Sequence, residues 1–339
     1  MRPLLLLVAL STALSAVDYE VALDRAGALL AAMPAPPVTV PVPAQPLSGD
    51  TPMIDGVLIT PGERVVLEGL SLFDQGPIDG LEVLCCLKGG KNHESFARLL
   101  TGNDQLVKAA FIAALSIEES GKPGMEMSAV PARGVPLMVE AHWQSDPLLK
   151  PDAWVRAPAS TLVRHRGTDR PYPALPWVFT GSRFQTFDQP IPGTKETKTV
   201  ERFMLGVTMS VVVNFDEPDA LLASPFPVAA QDDLFEVNSA IAPPVNSAVK
   251  FVFSRIDMPL VLTLDGAGAL QAADGTVLDD AALKQALLTT FGPDATPICR
   301  ALQVVAPLTV DDDTVVACRE RVMRLAGLAG VWAIPVFSL

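Results

Sequence analysis

Hydrophobic and polar positions alternate with a period of two along much of the stretch from Ile54 to Arg255, the pattern of half-buried strands. A Pro61-Gly62 turn between two apolar runs predicts a β-hairpin. The segment 135–144 predicts a strand with His142 on its outward side, facing solvent or a sheet edge. Its inward side holds Val135, Leu137, Val139, Ala141 and Trp143.

Three later segments, 177–187, 204–215 and 248–256, also predict strands, and 188–199 predicts a polar loop. In the second, one strand face is expected to carry Leu205, Val207, Met209, Val211 and Val213. A helix is predicted from Asn103, its N-cap, to residue 119, with Leu106, Ala110, Ala113 and Ile117 on one face. The fold class expected is mainly β, an antiparallel sandwich or barrel with one helix.

From Met258 onward strands alternate with helices, which predicts a small α+β domain over 258–339 after a β-rich domain over 54–257. A hairpin turns at 266–268, and Asp279 or Asp280 opens a helix carrying Leu283, Leu287 and Phe291. A strand follows at 302–306. The next helix begins at 311–313 and the last strand lies at 331–337. That helix has an apolar seam of Val315, Cys318, Val322 and Leu325.

The amino terminus, residues 1–16, has the pattern of a signal peptide: Arg2, an apolar run from Leu4 to Leu10, then small residues. Cleavage after Ala13, Ser15 or Ala16 is expected. The run is shorter than the about 20 residues of a membrane span, and an uncleaved membrane anchor is the alternative. Residues 17–53 predict a short helix over 19–32 and a proline-rich spacer that acts as a tether.

Composition narrows the classes of function. Of the 339 residues 49% are hydrophobic and 19% charged, which excludes a disordered chain. The formal charge of −13 argues against nucleic acid or anionic lipid as a partner, since both need a basic surface. No nucleic-acid partner is therefore expected, and the signal-peptide pattern predicts an extracytoplasmic location, periplasmic or secreted.

The stretch 81–100 carries the strongest chemical character. An apolar run predicts a strand buried on both faces, Gly89-Gly90 ends it, and four side chains follow on a predicted strand-to-helix connection: Lys91, His93, Glu94 and Ser95. In one interpretation these residues hold a loop, and replacing His93 with Ala costs about 1–3 kcal/mol. In the other they form an active site in which His93 exchanges protons and Glu94 orients it. A closed concave pocket would favour the enzyme.

The four cysteines suit export without defining a framework. Cys299 and Cys318 can pair within the C-terminal domain, which would contribute about 3 kcal/mol. Adjacent Cys85 and Cys86 point to opposite faces of a strand, so they are not expected to bond to each other or share a metal ion. The sequence predicts no metal site and no cofactor.

Four blocks of the β-rich part resemble the YdjY-type domain of bacterial exported proteins. They are Lys91–Ser95, PYPALPWVFTGSRF at 171–184, VVNFDEPDALLASPFPV at 212–228 and LFEVNSAIAPP at 234–244, and the resemblance spans about 54–265. That family has no established biochemical activity to carry over. Trp177, Ser182 and Asn214 match its blocks, and they either line a cleft with His93 or serve as core and turn residues.

The tail, especially VLTLDGAGALQAADGTVLDDAALKQAL, resembles the extracytoplasmic domain of the ExbD/TolR family. Members of that family are anchored by a membrane helix bearing an essential acidic residue, and no such helix lies immediately before Met258. The resemblance implies a docking module able to form a homodimer. The favoured function is a non-catalytic envelope protein that binds a membrane transport complex or cell-wall polymer. The alternative is a hydrolase-like or other enzyme using His93 and Glu94.

Overall fold

The computed structural model describes residues 25, 27–77, 79–117, 121–122, 130–146, 150–166, 170–215, 217–228 and 232–339. The predicted signal peptide and the first part of the predicted helix 19–32 lie outside these residues. Within the described residues no helix is long and apolar enough to cross a membrane.

The elements are numbered in chain order. The helices are α1 (27–32), α2 (Asp104–Leu115), α3 (Leu205–Thr208), α4 (Asp280–Phe291) and α5 (Asp312–Leu328), with 3-10 turns at Ala159–Leu162 and Asp232–Leu234. The strands are β1 (Val42–Pro43), β2 (Thr51–Pro52), β3 (Val57–Thr60), β4 (Arg64–Ser71), β5 (Val83–Cys86), β6 (Ser95–Leu99), β7 (Val135–Asp146), β8 (Lys150–Pro158), β9 (Val163–His165), β10 (Arg170–Pro171), β11 (Trp177–Phe179), β12 (Phe184–Pro190), β13 (Thr197–Phe203), β14 (Ser210–Val213), β15 (Leu222–Ala223), β16 (Phe235–Val237), β17 (Ala248–Arg255), β18 (Val261–Leu264), β19 (Leu270–Gln271), β20 (Ala301–Val305) and β21 (Ile334–Ser338).

Eight strands close into a barrel. Hydrogen-bonded pairing runs β7–β11–β15–β14–β5–β6–β4–β17 and returns to β7. Every pair is antiparallel except β5 with β6 and β14 with β15. The fold class predicted from the sequence, mainly β with a barrel, is therefore confirmed. Closure leaves this ring without a free edge.

Two strands of the barrel are long enough to serve a second sheet. One edge of β7 pairs first with β11 and then with β8, while its other edge pairs with β17. In the same way β4 pairs with β3 and then β6. The order β1–β8–β7–β17–β4–β3–β2 thus forms an open seven-strand sheet that shares three strands with the closed barrel, and we call this sheet the half-barrel. Both of its edge strands come from residues 42–52.

Helix α2 packs its apolar face on the barrel core. Phe111 contacts the rings of Phe179 and Phe253, with centroids 5.6 and 4.8 Å apart. Asn103 caps the helix as predicted, accepting from the Leu106 amide at 3.0 Å. The buried face of the helix differs from the predicted one. It includes Val107, Ala110, Phe111 and Ala114, whereas Ala113, which was predicted to be on it, is exposed. The large Phe111 ring decides which side of the helix turns inward.

The C-terminal region is a small α/β unit, in agreement with the predicted class. Strands β18, β20 and β21 are parallel, and β19 adds an antiparallel edge. Asp279 and Asp311 cap α4 and α5 by accepting from backbone amides. Both predicted apolar seams are buried.

A buried arginine joins this region to the barrel. The Arg133 guanidinium is fully buried and donates to the carbonyls of Pro307 and Val310, at 3.0 and 2.9 Å, and to the carboxylate of Asp312 at 2.5 Å. The Gly134 amide donates to Phe337 in β21. One contiguous buried cluster includes residues from both regions. The division at 255–264, which falls between β17 and β18, stays a prediction.

Three sequence predictions on local structure were wrong. Residues 95–99 form strand β6 rather than part of a loop leading to a helix. Segment 177–187 is broken by Gly181 and Ser182, whose φ angles of 82° and 58° no strand accommodates. Segment 204–215 begins with the helical turn α3, so Val207 is exposed rather than in line with Val211 and Val213.

The polar segment after Phe187 was also misjudged. It extends a two-stranded hairpin, β12 with β13, paired from Phe184 and Phe203 to Pro190 and Thr197. The proline-rich segment 33–53 is not a free tether, because it supplies β1 and β2 to the half-barrel. Both errors concern polar or proline-rich residues that lack the apolar alternation of the other strands, and for β1 the partner strand also lies more than 100 residues away.

Candidate functional site

Residues 91–95, which we call the KNHES motif, lie on the connection between the parallel strands β5 and β6. The loop is held by its own backbone: the amide of Gly90 donates to Leu87, and that of Glu94 donates to Lys91. The Ser95 hydroxyl also donates to the Lys91 carbonyl, at 2.5 Å. Gly89 has a φ of 92°, which only glycine adopts readily. The motif is therefore a compact turn with a defined conformation.

The Lys91 ammonium group is surrounded by three carboxylates, an arrangement we call the Lys91 cluster. Its Nζ lies 3.0 Å from Glu94, 3.6 Å from Glu82 and 3.8 Å from Glu217. The ammonium also lies over the ring of Phe215. The Glu94 and Glu217 side chains are each only 10% exposed, so these charges interact with little screening by solvent.

Protonation within the Lys91 cluster is perturbed in the directions expected of it. Burial raises the pKa of Glu217, and the nearby Lys91 ammonium offsets only part of that effect. Burial alone would lower the pKa of Lys91, but Glu217, Glu94 and Glu82 together outweigh it, so this pKa is raised. The lysine therefore stays charged, whereas burial disfavours the charged form of Glu217.

His93 stands outside this cluster. Its side chain is 76% exposed, and its Nε2 lies 3.4 Å from the outer oxygen of Glu94. The polar groups of the motif therefore satisfy one another at the surface, with the histidine on the solvent side. The residues hold the loop in the way the structural interpretation expects, but the part assigned to His93 differs: Lys91 makes the main side-chain contacts, and His93 is exposed.

The residues matched from the later blocks do not line a cleft with His93. Trp177 is fully buried and its indole donates to the Val213 carbonyl at 3.0 Å. Asn214 is also buried, and its amide donates to the Leu81 carbonyl at 2.9 Å. The Ser182 hydroxyl donates to Asp219 and accepts from the Leu205 amide. These contacts are those of core and turn residues.

All four cysteines lie in described parts of the chain, and all are free and buried. The disulfide considered for Cys299 and Cys318 is not formed: the Cys299 thiol instead lies 3.7 Å from the Ala301 carbonyl, in its own chain segment. Burial raises the pKa of Cys299 to about 11. Within the described residues no group of three or more His, Cys, Asp and Glu side chains is placed to hold a metal ion.

A cavity lies elsewhere, on the half-barrel. Residues 44–50, which we call the arch, run between its two edge strands and cover the face opposite the barrel core. The arch is fixed at one end by the pairing of β1 with β8 and at the other by the Asp50 carboxylate, which accepts from Arg64 at 2.9 Å. Beneath it is a cavity of about 520 Å³.

The arch explains why His142 is not exposed. Its position on β7 alternates with the buried Ala141 and Trp143, so it points away from the barrel core as predicted. The prediction that it faces solvent was wrong, because His142 lines the cavity under the arch and is 5% exposed. It contacts Glu140 at 3.3 Å. That hydrogen bond, followed by the pair with Arg156, holds the pKa of Glu140 below its usual value.

The floor of the cavity is a row of cross-strand neighbours. Lys250 on β17 stands opposite both His142 on β7 and Glu68 on β4. Its ammonium lies 2.8 Å from Glu68 and 5.3 Å from the ring centroid of Trp154. Strand alternation alone predicts that residues 142, 154 and 250 point outward. No local pattern in the sequence indicates that a proline-rich segment covers all three.

Comparisons of the chain with protein-family models, with curated proteins and with solved structures gave no match. The two resemblances drawn from sequence blocks therefore stay predictions. Inference about function depends on the Lys91 cluster, the cavity under the arch and the chemistry of the residues that form them.

Proposed function

We propose that this chain is an exported binding protein of the cell envelope, with a YdjY-like barrel that holds a ligand and an ExbD/TolR-like domain that docks on a membrane transport complex or a cell-wall polymer. The observation that carries the proposal is a contrast between two places in the fold. The Lys91 cluster is a closed set of ion pairs, whereas the half-barrel has a cavity of about 520 Å³ under its arch.

This contrast favours binding over catalysis by the KNHES loop. A general base must reach a substrate proton within a water-excluding site, and His93 lies open to solvent beside a carboxylate already paired with Lys91. The cavity under the arch, by contrast, has the volume of a small-molecule site and a lining of both polar and apolar side chains. The two resemblances support an envelope location. The formal charge of −13 argues against nucleic acid as the partner.

Co-sedimentation tests the docking role. The mature chain is incubated separately with insoluble cell-wall polymer and with membrane vesicles from the producing organism, and the pelleted fraction is measured. We expect saturable binding to one of the two, and equal binding by the His93→Ala variant. Binding to neither material would refute the docking role, and loss of binding in the variant would return the function to the KNHES loop.

Amino-terminal sequencing of the exported form tests the location. The mature chain is expected to begin between Leu14 and Val17. Recovery of an intact Met1 end in the membrane fraction would mean that the segment is an anchor.

A further inference from the structure

The cavity under the arch is built like a ligand site rather than a packing defect. It lies between the outer face of a seven-strand sheet and the arch, a segment that is hydrogen-bonded at both ends. Its volume of about 520 Å³ falls within the range of small-molecule sites, about 300–1,000 Å³. A void left by imperfect packing would be far smaller, because protein interiors are close-packed.

The cations Lys250 and Arg64, at and beside the cavity, are each paired with a carboxylate. Lys250 is paired with Glu68 at 2.8 Å, and Arg64 is paired with Asp50 at 2.9 Å. A phosphate or carboxylate ligand would have to compete with these carboxylates for their cations. The paired floor therefore disfavours nucleotides and acidic ligands, and the same polar row disfavours a lipid chain.

What remains available is hydrogen bonding beside apolar surface. The lining includes the exposed carboxylate residue Asp152 and the amide of Gln45, and a carboxylate accepts several hydrogen bonds at once. Trp154, Pro46, Leu47 and Leu58 supply the apolar part of the lining. A matching ligand carries many hydroxyl donors, one apolar face and no net charge.

We infer that the cavity binds a neutral sugar unit, with the C–H face of the ring on the apolar lining and the hydroxyl groups donating to Asp152. This inference rests on the proposed binding function and narrows it: the sugar unit would belong to the cell-wall polymer rather than to a membrane transport complex. Trp154 is the aromatic residue of the lining, so the sugar would contact one indole ring and not a row of stacked rings.

Tryptophan fluorescence offers a direct assay. The chain has four tryptophans, of which Trp143, Trp177 and Trp332 are at most 4% exposed. Trp154 is the partly exposed one and lines the cavity. Acrylamide should quench Trp154 selectively, and a bound sugar should protect it. The probes are cellobiose and N,N′-diacetylchitobiose as neutral disaccharides, with glucuronic acid and glucosamine as charged comparisons.

We expect saturable protection by at least one neutral disaccharide and none by the charged sugars. Trp154→Phe should abolish the quenching change, and Asp152→Asn should weaken apparent affinity about tenfold through loss of a charge-assisted hydrogen bond. Asp294→Asn, at an exposed aspartate of the C-terminal region, is the matched control and should bind like the wild type. Absence of protection by both disaccharides, stronger protection by a charged sugar, or an unchanged affinity in Asp152→Asn would overturn the inference.

Co-sedimentation of the same variants separates this inference from the broader proposal. If Trp154→Phe and Asp152→Asn pellet with cell-wall polymer as the wild type does and no sugar protects Trp154, the docking role stands and the sugar site fails. If the wild type pellets with neither material, the docking role fails, whatever the sugar assay shows.

Discussion

Replacing Arg133 with Met tests whether the barrel and the C-terminal region are held together by one buried cation. The substitution keeps much of the side-chain length but removes the guanidinium. Two carbonyl acceptors, those of Pro307 and Val310, lose a charged donor, and Asp312 loses one of its two cations. The change therefore acts on contacts that cross between the two regions.

The expected cost follows from those contacts. Removing one partner of a buried pair destabilises by about 3–5 kcal/mol because the other charge is left uncompensated. Here Asp312 keeps Lys122 at 2.6 Å and its side chain is 28% exposed, so the lower end applies. We expect the free energy of unfolding to fall by about 3 kcal/mol.

Urea unfolding measures this value. It should be followed both by tryptophan fluorescence and by far-UV circular dichroism, to which α4 and α5 contribute strongly. In the variant the two transitions should separate, because the regions have lost their shared contact. Arg202→Met, at an exposed arginine on β13, is the control and should stay within about 0.5 kcal/mol of the wild type. A loss below about 1 kcal/mol for Arg133→Met would refute the reasoning, since an exposed ion pair contributes no more than that.

Three further predictions concern His93, Glu217 of the Lys91 cluster and the domain division. His93→Ala should change the unfolding free energy by less than about 0.5 kcal/mol in thermal melts, because the side chain is exposed; a loss of 1–3 kcal/mol would restore the original structural role. Glu217 has a raised pKa in the fold, so between its ordinary value of 4.5 and that raised value the folded state binds more protons than the unfolded state. The free energy of unfolding should therefore fall as pH rises through this window, and Glu217→Gln should reduce that fall. Melting temperatures of both proteins at several pH values measure this, and the same pH dependence in both would contradict the prediction. The fragment from Met53 to Met258 should unfold cooperatively, with a lower midpoint than the whole chain; a fragment over residues 33–258, which keeps β1 and β2, is the control, and absence of a transition in both would mean that the two regions cannot be divided there.

Local sequence signals predicted the elements whose contacts are close along the chain. The turn at Gly62 has a φ of 80° and joins β3 to β4, and Asn103, Asp279 and Asp311 cap the helices assigned to them. Each of these depends on a few neighbouring residues. The fold class followed because period-two alternation dominates the first part of the chain and strand-helix alternation the last.

What the sequence could not provide is pairing over long distances. Closure of the barrel depends on β17, which pairs with β4 about 180 to 190 residues earlier in the chain and with β7 about 105 to 120 residues earlier. The burial of His142 depends on a proline-rich segment about 100 residues earlier, as the shared cavity lining shows. Glu217, one of the three carboxylates around Lys91, lies more than 120 residues after the KNHES motif in the sequence and was not predicted to join it.

Both edge strands of the half-barrel come from one segment, residues 42–52, and this affects solubility. Each edge ends in a two-residue strand that contains a proline, Pro43 at one side and Pro52 at the other. Proline has no backbone N–H to donate, so it blocks the addition of a strand from a second molecule. The stretch that roofs the cavity thus also guards against edge-to-edge aggregation, and trimming the chain before residue 53 would expose β8 and β3 together.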